Sequence, residues 1–329
     1  MAYDNIKLEK GLYTTGKSFT NALEELDPSE NYIGTELEGL DAYQRQLKRF
    51  DIKVSGKGSD TVSKFFNTTD SSALFPEYVS RAVRQGIEAA DSLDKVIATT
   101  TVIDSLDYRA IESVPTEDDK ELSEIGEGAF IPETVIRTKE TLTPLKKRGR
   151  MLIASYEALK FQKLDLFTVT LKQIGSYISK CQLADAISTL CDDIPSVEMQ
   201  GTSLEYRDIL NLWNEIDPYQ MNTLIIGNKS AIDLLDMPEF KDSNAGLDFH
   251  GTGKLLTPLG ADMVRSSLLN NENIIIGLDR SCAVEKVQAG EVITDFDKLI
   301  DRQLERATIT TITGFSKIFA KASAILHYA

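Results

Sequence analysis

The chain has 329 residues, 42 % of them hydrophobic and 26 % charged. That supports one large core or two modest ones and argues against wholesale disorder. A formal net charge of −15 repels nucleic-acid phosphates, so a general DNA- or RNA-binding role is disfavoured. Cys181, Cys191 and Cys282 include no CxxC pair, which argues against a disulfide framework or structural zinc; they read as buried thiols.

Residues 1–70 are polar, rich in Gly, Ser, Thr and Asp. Thr35 and Glu38 have capping-box spacing, and Leu37, Leu40, Tyr43, Leu47 and Phe50 recur behind them at helical intervals, which predicts one helix. The remainder reads as loop with little core material, an arm that lies on something else. At Phe75 the character changes. Pro76 marks a helix start, and Val79, Val83, Ile87 and Ala90 share one face.

From Lys95 to Pro115 the chain is rich in β-branched residues and reads as strand. Residues 117–127 then carry six acids (Glu117, Asp118, Asp119, Glu121, Glu124 and Glu127) against the single Lys120, a solvated tip. A second extended stretch follows, from Phe130 into Leu159. Two such strands joined by a charged tip make a hairpin reaching about 35–40 Å. Thr134, Arg137, Thr138, Lys139, Glu140 and Thr141 leave it polar on both faces. A two-stranded ribbon of that kind is marginal alone in water, so a neighbouring subunit is expected beneath it.

The longest helix is predicted over Leu164 to Cys191. Phe167, Leu171, Ile174, Ile178 and Cys181 form its apolar face, which Ile187 and Leu190 continue after a phase shift. Its length is about 40 Å. Pro195 to Gly290 alternates between helix and strand, as in a compact α/β lobe. Thr202 and Glu205 cap a helix bearing Tyr206, Ile209, Trp213 and Ile216; NTLIIG, NIIIGLD and CAVEKVQ read as strands and KSAIDLLDM as a short helix. From Ile293 the chain reads as helix or irregular structure. RATITTITG then alternates with period two, and FSKIFAKASAILHYA ends the chain as further strand, returning to the long helix.

Few motifs carry chemistry. Gly11 to Ser18 fits GxxxxGK[ST], in which backbone amides and Lys17 would cradle phosphates and Ser18 would hold Mg²⁺. Its context fails, because the ten preceding residues are polar and leave no room for a buried strand. Asp279, the best candidate for a partner acid, is separated from Ile274, Ile275 and Ile276 by Gly277 and Leu278. The only histidines are His250, in a Gly-rich loop, and His327, in the last strand. Neither sits in metal-ligand or triad spacing. No catalytic residue, cofactor or metal is expected, and no apolar run is long enough to span a membrane. Lys146, Lys147, Arg148 and Arg150 form a basic cluster. It reads as a solvated loop base or, together with Glu117, Asp118, Asp119 and Glu121, as an intersubunit contact. Exposed pairs contribute only about 0–1 kcal/mol each, but repetition would set register.

Five segments resemble the major capsid proteins of tailed bacteriophages: LFPEYVSRAVRQGIEAADSL, IPETVIRTKETLTPLKKRGRMLIASYEAL, NTLIIGNKSAIDLLDMPEFKDSNAG, IIIGLDRSCAVEKV and GFSKIFAKASAIL. No one motif is diagnostic; their order and spacing carry the likeness, from about Phe75 onward. The resemblance implies the α+β fold shared with encapsulins and the herpesvirus capsid floor. It divides the chain into an N-terminal arm (1–74), an entry helix opening the peripheral domain (75–104), an extended β-hairpin loop (105–150), the peripheral domain with its spine helix (151–195), an axial domain (196–290) and closing strands (291–329). The implied role is a structural subunit, not an enzyme. Hexamers and pentamers of it would form an icosahedral shell around double-stranded DNA, with portal and scaffolding proteins during assembly in the host cytoplasm and a decoration protein as a further candidate partner. Some relatives cross-link a lysine of the extended loop to an asparagine; Lys120 and Lys139 lie in that region, but no partner asparagine is evident. A short arm beginning at Met1 leads us to expect no removal of a scaffolding segment. Two alternatives stand beside this reading: an encapsulin-type compartment, disfavoured by an arm of about seventy residues, and a phosphate-loop enzyme.

Overall fold

Several helices start where the sequence supplies a cap or a proline: Ser18, Asp41 and Glu205 stand at N-caps, and Pro76 lies in a first turn. The computed structural model describes residues 2–13, 18–90, 92–112, 124–128, 136–155, 157, 161–199, 201, 203–241, 259–270, 272–290 and 292–328. Among these the principal helices are α1 (Phe19–Leu26), α2 (Ala42–Arg49), α3 (Phe75–Ala89), α4 (Leu164–Cys191), α5 (Tyr206–Glu215) and α6 (Asn228–Leu235). The strands are β1 (Thr99–Ile103), β2 (Ile111–Glu112), β3 (Arg137–Thr138), β4 (Lys146–Ser155), β5 (Ser196–Glu198), β6 (Thr223–Ile226), β7 (Asp262–Arg265), β8 (Ile274–Leu278), β9 (Val284–Ala289), β10 (Ile293–Leu299), β11 (Leu304–Lys317) and β12 (Ser323–His327). The chain divides into two compact units. The first comprises Met1–Asp91, Lys147–Ser179 and Glu291–Thr311; the second comprises Ser92–Lys146, Lys180–Gly290 and Ile312–Ala329. Helix α4 and strand β11 contribute to both.

The first unit is built on α3 and the N-terminal half of α4. Val79 and Val83 pack with Leu171, Ile174 and Ile178. The two helices approach at glycines. A Cβ on Gly86 would lie 2.1 Å from the Lys172 carbonyl oxygen, and one on Gly175 would lie 2.1 Å from that of Val83. The N-terminal segment holds far more core than its composition led us to expect: Phe19, Leu23, Tyr43, Leu47, Val62 and Phe65 belong to this same cluster. Helix α1 was not foreseen; Ser18 caps it by accepting from the Asn21 amide. Helix α2 starts later than predicted. Thr35 and Glu38 close a turn, with the Glu38 carboxylate accepting from the Gly34 amide, and the working box is Asp41 with Gln44. Inside this layer Arg45 and Asp27 are both fully buried, with Arg45 Nε 2.8 Å from Asp27 Oδ2. Tyr32 donates to the other Asp27 oxygen at 2.5 Å, so the pair is shielded and its lone pairs are occupied, the condition under which a buried ion pair is tolerated. β10 runs antiparallel to the first half of β11, where helix or irregular structure was expected. Its outward residues Ile293, Asp295 and Asp297 are exposed, and that polar alternation hides a half-buried strand.

In the second unit, β5-β12-β8-β6-β7 forms one sheet. Alternation decides what each face meets. Leu224, Ile226, Ile275, Ala324 and Leu326 pack with Ile209, Leu212 and Ile216 of α5 and Leu234 of α6. Ile225, Ile276, Leu278 and Ile325 pack with Leu183, Ala186, Ile187 and Leu190 of α4. The tail thus reaches the long helix as predicted. With both faces covered, the strands read as unbroken apolar runs, which made β6 and β8 legible. Trp213, placed on the buried face of α5 by spacing, is exposed, and Leu212 is buried instead. Cys181 is likewise exposed and Gln182 buried: at 100° per residue Cys181 falls about 80° from Leu171 and Gln182 about 20°. Cys191 and Cys282 are half-buried rather than core thiols.

Candidate assembly surface

The hairpin belongs to the second unit. Among the described residues its pairing is short: Ile111 opposite Thr138 and Glu112 opposite Arg137. The Lys139 amide donates to the Ala110 carbonyl and the Thr143 amide to the Tyr108 carbonyl, both at 2.8 Å. The stretches read as its outer parts do other work. β1 pairs in parallel with β9, and β4 pairs with β11. Among the described residues, the ribbon free of either sheet is therefore confined to the flanks 108–112 and 136–143. It exposes apolar side chains, with Ile111 56 %, Ile136 65 % and Leu142 50 % accessible.

The base of the ribbon is tied down at two points. On the outgoing side, the Tyr108 hydroxyl donates to Glu285 Oε1 at 2.7 Å, the same oxygen that accepts from Thr101 Oγ1. On the returning side, Lys139 Nζ donates to Ser316 Oγ at 3.1 Å and to the Lys317 carbonyl at 2.7 Å. Glu285 on β9 and Ser316 on β11 are register partners, and both are buried, so the two anchors land on one step of the sheet. Lys317 continues the chain of contacts: its ammonium donates to the Asp192 carbonyl and, at 3.1 Å, to that of Asp193, just past the C-terminus of α4, where a cation is favoured by the helix dipole. Burial pushes the Tyr108 phenol up, and its bond to Glu285 adds to this. Burial pulls the Lys317 ammonium down, against the opposing pull of Asp193 and Asp192. Sequence reasoning missed Tyr108, Glu285 and Ser316. Their partners lie 177 residues away along the chain, and no local pattern signals such a contact.

The predicted contact residues fall differently. Glu117, Asp118, Asp119, Glu121 and Lys120 lie outside the described residues. Lys146 meets Asp185 of its own chain at 2.8 Å, within the second unit. Lys147 and Arg150 are exposed in the first unit, and Arg148 is half-buried. Lys139 spends its ammonium on the anchor just described.

The phosphate-loop match gains no support. Residues 14–17 lie outside the described residues, Ser18 is a helix cap, and the segment preceding Gly11 holds the 3-10 turn Ala2–Asn5. Asp279 accepts from the Gln220 amide, Asn222 Nδ2 and the Ser281 amide at 2.9–3.0 Å, a loop-organising role. His250 lies outside the described residues, and the His327 backbone joins β12 to β5 and β8. Among the described residues, no group of three or more His, Cys, Asp or Glu is placed to hold a metal ion, and no helix is long and apolar enough to cross a membrane.

No protein-family model and no curated protein matches the chain. Solved structures do. The capsid of a native GTA particle aligns with a TM-score of 0.53 at 14 % identity, over 77 % of this chain and 90 % of that one. Gordonia phage Cozz aligns with a TM-score of 0.52 at 12 % identity, over 74 % and 86 %. The virus-like particle from Pyrococcus furiosus aligns with a TM-score of 0.50 at 13 % identity, over 76 % and 98 %.

Proposed function

From a chain with the α+β fold of tailed-phage major capsid proteins, we propose a structural subunit that assembles with copies of itself into a closed icosahedral shell around double-stranded DNA. The observation that carries this reading is the ribbon at 108–143. Its described flanks, 108–112 and 136–143, pair with each other and expose Ile111, Ile136 and Leu142. Exposed apolar surface of this kind marks an interaction site, and a two-stranded ribbon gains stability only by lying on something. A second copy is the partner that every subunit of a shell always has. The acidic run from Glu117 to Glu121 would meet Lys147 and Arg150 of such a copy, Lys146 being already paired at home. Hexamers and pentamers, a portal, a scaffold and a decoration protein belong to the same reading, as does assembly in the host cytoplasm.

The encapsulin-type alternative draws on the Pyrococcus furiosus particle. The first unit's N-terminal helical layer, residues 2–74, favours the viral shell. Electron microscopy of purified particles separates the two: DNA-filled heads with a portal vertex against small empty or cargo-loaded cages. Deleting residues 117–130 should leave a soluble, folded chain that forms no shells by sedimentation. Normal particles from that deletion would refute the reading.

A further inference from the structure

Resting on the shell reading, we propose that Tyr108 and Lys139 form a two-point clamp that fixes the direction in which the ribbon leaves its own subunit, and that this clamp keeps the shells uniform in size. Among the described residues the two sides of the ribbon are joined by two register pairs, two flanking backbone bonds and the Arg109 guanidinium donating to the Glu140 carbonyl, contacts that move with the ribbon and set no direction relative to the sheet. A single tether would leave it free to pivot. Here one side chain grips from each strand, and the two grips land on adjacent strands at a single register step, Glu285 opposite Ser316. Two separated anchors on a buried, hydrogen-bonded base define an angle as well as a position. Lys317, whose carbonyl Lys139 holds, ends β11 and is itself fastened to the Asp192 and Asp193 carbonyls in the turn that follows α4, so the clamp stands on a strand end that is braced in turn.

Leverage makes the angle matter. Over the reach of about 35–40 Å that the sequence implies, a tilt of about 10° at the base carries the far end through about 6–7 Å. Side chains are in contact only within about 4.0–4.5 Å, so such a tilt is enough to lose one set of contacts on a neighbour and find another. Tyr108 and Lys139 are thus positioning residues, and they act through geometry without touching the neighbour themselves.

The test uses the full chain with Y108F, K139M and the double variant, and K139R as the conservative replacement. In the unassembled subunit, amide exchange at residues 108–112 and 137–143 should rise at least tenfold in the double variant, while exchange in the β6 and β8 core stays at the wild-type rate. In assembled material, electron microscopy should show a broadened diameter distribution or open sheets. K139R should restore most of both properties, because its guanidinium keeps donors for Ser316 and Lys317. Wild-type exchange in the double variant, or shells of wild-type uniformity, would overturn the proposal. Should the wild-type chain itself form no shells, the assembly reading fails, and the exchange measurement still decides whether the clamp holds.

Discussion

Asp279 shows how one side chain can organise a junction of loops. Burial alone would raise its pKa, but donors from Gln220, Ser281 and Asn222 outweigh that and hold it below the ordinary 3.8. A carboxyl with a depressed folded-state pKa contributes stability that is fully present above the unfolded value and is lost as pH falls through the folded one. The neighbouring Cys282 thiol, pushed up to about 12 chiefly by burial, stays neutral throughout that window and does not blur the effect. D279N removes the charge and turns one accepting oxygen into an amide that cannot accept, so it should cost about 1–3 kcal/mol at pH 7. Its difference from wild type should shrink as pH falls below 3.8. Urea unfolding at pH 7 and pH 3 measures both quantities, and an equal loss at the two pH values would show that the charge is not what matters there.

Among the elements, the crossing of α3 and α4 at Gly86 and Gly175 sets two effects of opposite sign against each other. Alanine is favoured over glycine inside a helix by about 1 kcal/mol. Against that, a Cβ at either position would sit 2.1 Å from a backbone oxygen of the other helix, and backbone cannot rotate aside. Overpacking typically costs about 1–3 kcal/mol and occasionally more, so sterics should win. G175A is expected to lower the stability of the first unit by about 2 kcal/mol, read by thermal unfolding, and a stabilised variant would mean that the helices separate cheaply. The same elements show what a sequence can disclose. α4 was legible because apolar residues recur along it despite the phase shift near Cys181, and β6 and β8 because the core demands runs of isoleucine and leucine. β5 and β7 were missed because three or four residues hold too little pattern. β10 was missed because its acids face outward. α1 and α2 were blurred because their core is made of a few large residues, Phe19, Leu23, Tyr43 and Leu47, set in polar sequence and completed by a buried arginine.

At the scale of the whole molecule, the pairing of Ile111–Glu112 with Arg137–Thr138 falls inside the hairpin expected from strand propensity, whereas its anchorage could not be read, since Tyr108 and Lys139 find partners that only the folded sheet brings near. Net charge, by contrast, is fully legible and makes its own prediction about assembly. Two −15 subunits with centres about 40 Å apart, a spacing expected for domains of this size, repel by about 23 kcal/mol in unscreened water. At about 20 mM salt, with a Debye length of about 20 Å, that falls to about 3 kcal/mol, and at physiological ionic strength to well under 1 kcal/mol. The proposed contacts between the acidic run and Lys147 or Arg150 of a neighbour would pull the other way, but at about 0–1 kcal/mol each and with the same screening, a few of them would not match the net repulsion at low salt. Raising NaCl from 20 to 150 mM should therefore lower the subunit concentration at which shells first appear by at least tenfold, followed by light scattering. A threshold that rises with salt would mean that local pairing outweighs the repulsion, and would make the acidic run and the basic cluster the main electrostatic drive for assembly.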